Sequence, residues 1–139
     1  MPGRSVPRLL IVISFILFLS SCQLFPRFEC NPDESYARKA DLPPTAADVQ
    51  ERCSGLHYEV TFKMAAEDLA AFQMNSPIQA WRVDNSSDIF AEPPFAEQAA
   101  RASQYLYGEF SNGIDLINVL IDMSDGRVYT VYYDADYVD

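Results

Sequence analysis

The chain has 139 residues, a length that suits one domain, and its 20 Asp and Glu residues against 10 Lys and Arg give a formal charge of −10. Because proteins bind nucleic acid through clustered Lys and Arg that neutralise phosphates, this balance excludes nucleic acid as an expected partner. With three cysteines and one histidine, the sequence offers few candidates for a site that carries chemistry.

Residues 1–21 differ in composition from the rest of the chain. They contain Arg4 and Arg8 but no acid, and an apolar run extends from residue 9 to residue 19. Because a bilayer span takes about 20 apolar residues, this shorter run indicates a secretory signal that is removed, and not a transmembrane anchor. The mature chain loses two of the 10 basic residues and none of the 20 acids, so its formal charge is −12. Anionic lipid headgroups would repel such a domain.

The end of this segment reads Leu19-Ser20-Ser21-Cys22, an aliphatic residue, two small residues and a cysteine. It resembles the lipobox of bacterial lipoprotein precursors, over residues 1–22. The resemblance implies cleavage before Cys22, a diacylglycerol thioether on the Cys22 sulfur and acylation of the new N-terminus by chains such as palmitate. It also implies a protein held by lipid on the exported side of the cell membrane or outer membrane. Gln23, in place of Asp, implies the outer membrane where the organism has one. The alternative is an ordinary signal peptide cut nearby, with Cys22 a free or paired thiol.

Lipidation of Cys22 would leave Cys30 and Cys53, an even pair in an oxidising compartment, and we predict a disulfide between them. It would close a loop of 24 residues and stabilise the fold by about 3 kcal/mol. Residues 22–41 lack periodicity and are expected to form a tether, whose free part the disulfide would shorten to about eight residues, or roughly 16 Å. The alternative is two free thiols. Two cysteines and one histidine at these spacings match no zinc pattern, so neither a metal nor a cofactor is expected.

Residues 42–139 are predicted to form a single domain. Residues 56–64 alternate between apolar and polar side chains, which predicts a strand with one buried face and one wet face. A short helix is expected from near Glu67 to just before Pro77, then a strand over residues 78–84 and a polar turn over residues 84–88. The apolar side of the first strand carries Leu56, Tyr58, Val60, Phe62 and Met64.

The last third of the chain predicts a helix over residues 95–103, a strand over residues 104–110 and a hairpin. Asp125-Gly126 separates two β-rich runs, residues 117–123 and 128–133, as in a two-residue type I′ turn. The predicted fold class is α+β, with a mostly antiparallel sheet of four to five strands and one or two helices packed on one side.

Parts of this domain resemble uncharacterised small bacterial exported proteins. The resemblance covers roughly residues 42–133 and depends on Leu42-Pro43-Pro44, the Tyr-x-Val-x-Phe strand, the Glu67-Asp68-Leu69 segment and the late hairpin. It is loose and implies no particular activity or site.

The two-residue turn would place four apolar residues together on one face of the hairpin. If no helix covers this face, it is an aromatic patch of the kind found at interfaces; the alternative is that a helix or the tail covers it and the tyrosines are ordinary packing. The candidate binding face consists of Leu120, Tyr129, Val131 and Tyr133.

Other chemistry-bearing residues favour simple interpretations. His57 lies on the wet side of its strand without a Gly-x-Ser-x-Gly turn, so a solvated residue is favoured over a general base, and no catalytic residue is assigned. Residues 84–88 resemble a calcium loop, but Ile89 stands where that loop needs Gly, which favours a polar turn. The acids Asp134 and Asp136 are interpreted as part of a solvated end.

The sequence therefore predicts a membrane-anchored lipoprotein, a non-catalytic binding or accessory module of the cell envelope. Its expected contacts are the membrane, through the lipid on Cys22, and a protein or envelope polymer. One alternative is an envelope hydrolase that uses scattered acidic residues. Another is an inhibitor or immunity-type lipoprotein acting on a basic target, which the charge of −12 would suit.

Overall fold

A computed structural model describes residues 40–84 and 94–137 of the chain. The predicted signal segment, Cys22, Cys30 and nearly all of the predicted tether lie outside these residues. So does the predicted polar turn, apart from Asp84.

The described residues form one antiparallel sheet of six strands and two short helices. This confirms the α+β class and the antiparallel sheet, but the predicted number of four to five strands is wrong. The strand order is β1-β2-β6-β5-β4-β3, and a single 3₁₀ turn, Ala66–Asp68, precedes the first helix. The elements are β1 (Ala47–Ser54), β2 (His57–Ala65), α1 (Leu69–Asn75), β3 (Trp81–Asp84), α2 (Ala96–Arg101), β4 (Tyr105–Ser111), β5 (Asp115–Asp122) and β6 (Val128–Tyr137).

Strand β1, which the sequence did not predict, is an edge strand. All its residues are exposed except the half-buried Cys53, so neither face imposes an apolar alternation on the sequence. Its pairing with β2 is irregular between Ala47 and Gln50, where Asp48 has a φ of 53°. Such a bulge on an edge strand hinders the pairing of further strands.

One face of the sheet carries the main core. The alternating residues of β2 are buried as predicted, except Leu56, which lies in the turn before the strand and is 52% exposed. Cross-strand neighbours such as Val60, Tyr133 and Val119 lie side by side on this face. Phe72 of α1, with Ile78 from the following loop, covers it.

A smaller core lies on the opposite face. There Ala99 of α2 and the preceding Phe95 pack with Tyr105, Tyr107 and Leu120. The two helices therefore cover opposite faces, and the prediction that helices pack on one side is wrong. The short helix α2 covers only the β4–β5 side, so on this second face the side chains of β2 stay half-buried or exposed.

The β5–β6 turn is longer than predicted. The pairs Val119–Tyr133 and Asp122–Thr130 fix the register, and the strand bounds leave residues 123–127 as the connection. Gly126 does not have the positive φ that a type I′ turn requires. Instead Asp125 Oδ1 accepts hydrogen bonds from two backbone N–H groups, at 3.0 and 3.3 Å. Because side chains alternate along a strand, this one-residue change of register exchanges the faces that the sequence had assigned.

Candidate functional site

The register change divides the predicted binding face. Leu120 pairs with Tyr132 on the α2 side, whereas Tyr129, Val131 and Tyr133 join β2 residues on the main-core side. Leu120 and Val131 are 0% exposed and Tyr133 is 4% exposed. These four residues therefore share no open face, and the predicted candidate binding face is wrong.

Of the two cysteines predicted to pair, only Cys53 is among the described residues. It is half-buried in β1, packs against the main core and is disulfide-bonded. Cys22 and Cys30, the other two cysteines of the chain, lie outside the described residues, so the Cys30–Cys53 pairing remains a prediction.

The pairing of β2 with β6 instead places three acidic side chains around His57. His57 and Glu59 occupy alternate positions of β2, on the face that α2 leaves open. In the antiparallel register Asp136 lies directly opposite His57, and Asp134 directly opposite Glu59. All four side chains therefore project from the same face, where directly opposed Cβ atoms are about 5 Å apart. We call these four residues the His57 cluster.

Both ring nitrogens of His57 lie close to carboxylates. Nδ1 donates to Asp136 Oδ1 at 2.8 Å, since a carboxylate can only accept. Nε2 lies 3.2 Å from Asp134 Oδ2 and 3.5 Å from Glu59 Oε1. One imidazole is thus surrounded by three acids on two neighbouring strands.

Asp134 is the most buried acid of the cluster, with its side chain 4% exposed. Burial raises the pKa of Asp134, while the positive charge of His57 and a hydrogen bond from the Asn118 side chain oppose that rise. The Asn118 carbonyl in turn accepts a hydrogen bond from the Tyr107 hydroxyl at 3.2 Å. A chain of polar contacts therefore leads from Asp134 across β5 to β4 and holds the carboxylate in place.

The neighbouring acids and the burial of the ring move the pKa of His57 in opposite directions. Partial burial of the ring lowers the pKa of His57, but the hydrogen bonds to Asp136 and Glu59 and the charges of Asp134 and Asp136 outweigh it, and the net pKa is raised. The cluster therefore favours positive charge between its acids.

Sequence reasoning placed His57 correctly on the wet side of its strand but did not find its partners. It interpreted Asp134 and Asp136 as a solvated end, whereas β6 continues through both residues and Asp134 is 3% exposed. The available signal was a pair of alternating motifs, His-x-Glu and Asp-x-Asp. It becomes informative only when β2 and β6 are known to be paired.

An open groove of about 340 Å³ lies on the same side of the sheet, nearer the other end of β2. Lys63 ion-pairs there with Asp48 at 2.7 Å. The groove lining includes Thr61 and Thr130 but no residue of the His57 cluster. The His57 cluster thus lies outside this groove, with Asp134 buried and with His57 and Glu59 half-buried.

Comparison of the chain with protein-family models, with curated proteins and with solved structures gives no match. Among residues 40–84 and 94–137, no helix has the length and apolar character needed to cross a bilayer. The remaining indications of function are the composition of residues 1–22 and the side chains of the His57 cluster.

Proposed function

We propose that this chain is a lipid-anchored protein of the bacterial cell envelope that acts by binding and not by catalysis. The observation that carries the proposal is the order of a basic start, a short apolar run and Leu19-Ser20-Ser21-Cys22. Two or more acyl chains on Cys22 would anchor the protein firmly, since each buried methylene contributes about 0.8 kcal/mol. The acidic domain would need such an anchor, because anionic headgroups repel it.

The His57 cluster supports a binding role for the folded part. Its four polar side chains project from two adjacent strands of a rigid sheet, which holds them in fixed relative positions. They lie on the part of the second face that α2 does not cover. We propose this face, and not the predicted tyrosine face, as the surface that meets a ligand, with a protein or envelope polymer as the larger partner.

Lipid attachment is tested by growing a bacterial host that expresses the chain with an alkyne-tagged palmitate. Wild-type protein is expected to carry label, to fractionate with membranes and to have lost residues 1–21 by intact mass. Cys22→Ala is expected to lose the label. Cys53→Ser is the matched control, since it removes a different thiol and should keep the label. A labelled Cys22→Ala chain, or wild-type protein that retains its first 21 residues, would refute the anchor.

An envelope hydrolase is the second candidate, favoured by the raised pKa of Asp134 close to Glu59 and Asp136. A general acid of this kind needs a proton near neutral pH. Incubation of the protein with purified cell-wall polymer distinguishes the two functions. A binder sediments with the polymer and releases no soluble fragments. Release of fragments that Asp134→Asn abolishes would establish the hydrolase and overturn the non-catalytic proposal.

A further inference from the structure

Three potential ligand atoms converge in the His57 cluster. One ligand atom each from His57, Glu59 and Asp134 lies within 4.8 Å of the other two. His57 Nε2 is 3.2 Å from Asp134 Oδ2 and 3.5 Å from Glu59 Oε1. Ligand atoms that share a tetrahedral metal ion at bond lengths of about 2.0–2.1 Å lie roughly 3.3 Å apart. The two shorter separations agree with that spacing.

The imidazole of His57 is oriented so that Nε2 can act as a metal ligand. His57 Nδ1 donates its proton to Asp136 at 2.8 Å, so a neutral ring turns the lone pair of Nε2 toward two carboxylate oxygens. Such an arrangement requires positive charge between the three atoms, supplied either by a second proton on the ring or by a cation. A carboxylate that fixes the distal nitrogen of a metal-binding histidine is the usual outer-shell partner at such sites.

Asp134 provides an independent indication of a ligand. Its side chain is 4% exposed, and although Oδ2 faces His57 Nε2, this buried oxygen takes part in no hydrogen bond within the described residues. Leaving a buried carboxylate oxygen without a hydrogen bond is costly, and such atoms are rare in folded proteins. A cation bound between Oδ2 and Nε2 would satisfy it.

The charge balance is also incomplete. Glu59, Asp134 and Asp136 all form their ion pairs with the same imidazole. Arg52 of β1 is the cross-strand neighbour of Glu59, but in the described part of the chain the ion pairs of these three acids are all with His57, so three carboxylates share one imidazole. Buried or half-buried charges of one sign are stabilised by a bound ion of the other sign.

We propose that His57 Nε2, Glu59 and Asp134 form a binding site for a divalent transition-metal ion, of which Zn²⁺ is the representative. A nitrogen ligand disfavours Ca²⁺ and Mg²⁺, which take oxygen ligands, whereas imidazole with carboxylates suits Zn²⁺ and its neighbours. Asp136 and Asn118 are the outer-shell groups that orient His57 and Asp134. Three protein ligands would leave a fourth coordination position for water or a donor group of a partner. The site lies on the face that we propose as the ligand-binding surface. It depends on that proposal only in that the metal ion would be a ligand of this face.

The test is calorimetric titration of Zn²⁺ into the purified full mature chain, stripped of metal with a chelator and held in detergent. Wild-type protein is expected to bind one equivalent, and Co²⁺ in its place should give the visible absorption of a low-coordinate site. Asp134→Asn and His57→Gln are each expected to weaken binding at least tenfold. Asp136→Asn should weaken it by 10- to 100-fold through the orientation of His57.

Asp48→Asn is the matched control. Asp48 is an exposed acid on the same sheet, ion-paired with Lys63, and its loss should leave the affinity for Zn²⁺ unchanged. Because His57 is 36% exposed, His57→Gln should fold even if substitution of the buried Asp134 does not, and circular dichroism checks both. Equal affinities in wild-type, His57→Gln and Asp48→Asn proteins would overturn the site. The palmitate label is measured on the same preparations. A protein that carries the label but binds no Zn²⁺ would contradict the metal site and would still support the lipid anchor.

Discussion

Gly108 is the residue whose side chain the fold can least accommodate. A Cβ atom there would lie 2.6 Å from Ile78 Cγ2 and 3.0 Å from Trp81 Cε3. The absence of a side chain thus lets the loop residue Ile78 and the edge-strand residue Trp81 pack directly on β4. Glycine in a strand often marks such a close approach.

We therefore expect Gly108→Ala to lower the free energy of unfolding by about 1–3 kcal/mol, the usual range for overpacking a core. Urea denaturation followed by Trp81 fluorescence measures the change. Gly126→Ala is the control, since no atom lies within 4 Å of its added Cβ and its φ is not positive. Equal stabilities of the two variants would show that Ile78 and Trp81 move aside without cost.

Helix α1 attaches to the sheet mainly through one aromatic side chain. Phe72 is the buried residue of this helix, and its ring meets that of Phe62 edge-on with centroids 5.8 Å apart. Seven residues are too few for a stable isolated helix, so packing must hold α1 in place.

Phe72→Ala is expected to destabilise the domain by about 3–5 kcal/mol, because it removes a buried ring and leaves a cavity over β2. Thermal unfolding by circular dichroism measures the loss. Met74→Ala lies on the same helix, where Met74 is 84% exposed, and should change stability little. A small effect of Phe72→Ala would mean that α1 is not needed to close the main core.

The β5–β6 turn predicts a pH dependence. Hydrogen bonds from the backbone N–H groups of Arg127 and Val128 lower the pKa of Asp125 below its ordinary value of 3.8. Since the folded-state pKa lies below the unfolded one, the carboxylate stabilises the fold above the unfolded pKa and loses this effect as the pH falls through the folded value.

The difference in denaturation midpoint between wild-type and Asp125→Ala proteins should accordingly stay constant from about pH 7 to pH 5 and shrink toward pH 3. Guanidinium denaturation at each pH measures it. Glu109→Ala, at an exposed acid of β4, shows how much of the trend is general to exposed acids. A difference in denaturation midpoint that does not change with pH would show that the charge of Asp125 does not stabilise the turn.

Local sequence patterns predicted a strand such as β2, because burial of one face makes apolar and polar residues alternate along the sequence. They missed β1 because that strand has no buried face. Asp125-Gly126 identified a turn correctly, but a dipeptide does not fix the length of the connection, and a one-residue error was enough to place Leu120 with the wrong neighbours. The His57 cluster was missed for a different reason: it depends on the pairing of β2 with β6, which no local pattern encodes.

At the scale of the whole molecule, the proposed lipid anchor on Cys22 must connect to the folded domain, and the disulfide of Cys53 bears on that connection. Disulfide-bonded Cys53 lies in the edge strand β1. If Cys22 carries lipid, Cys30 is the one cysteine left in the chain to pair with it. Peptide mapping of the mature protein without reductant should recover Cys30 and Cys53 in one cross-linked species. A free Cys30 thiol would contradict the pairing, and a Cys22–Cys53 species would contradict both the pairing and the lipid anchor.

Strand β6 comes after the other five described strands in the chain, yet it lies between β2 and β5. Without β6, neither the β1–β2 hairpin nor the β3–β4–β5 group has a neighbour against which to complete the sheet, and long-range pairing of this kind is slow. A nascent chain that ends before Val128 should therefore stay unfolded. If the chain is exported as we propose, this strand order would keep its earlier strands from completing the sheet until β6 has been synthesised.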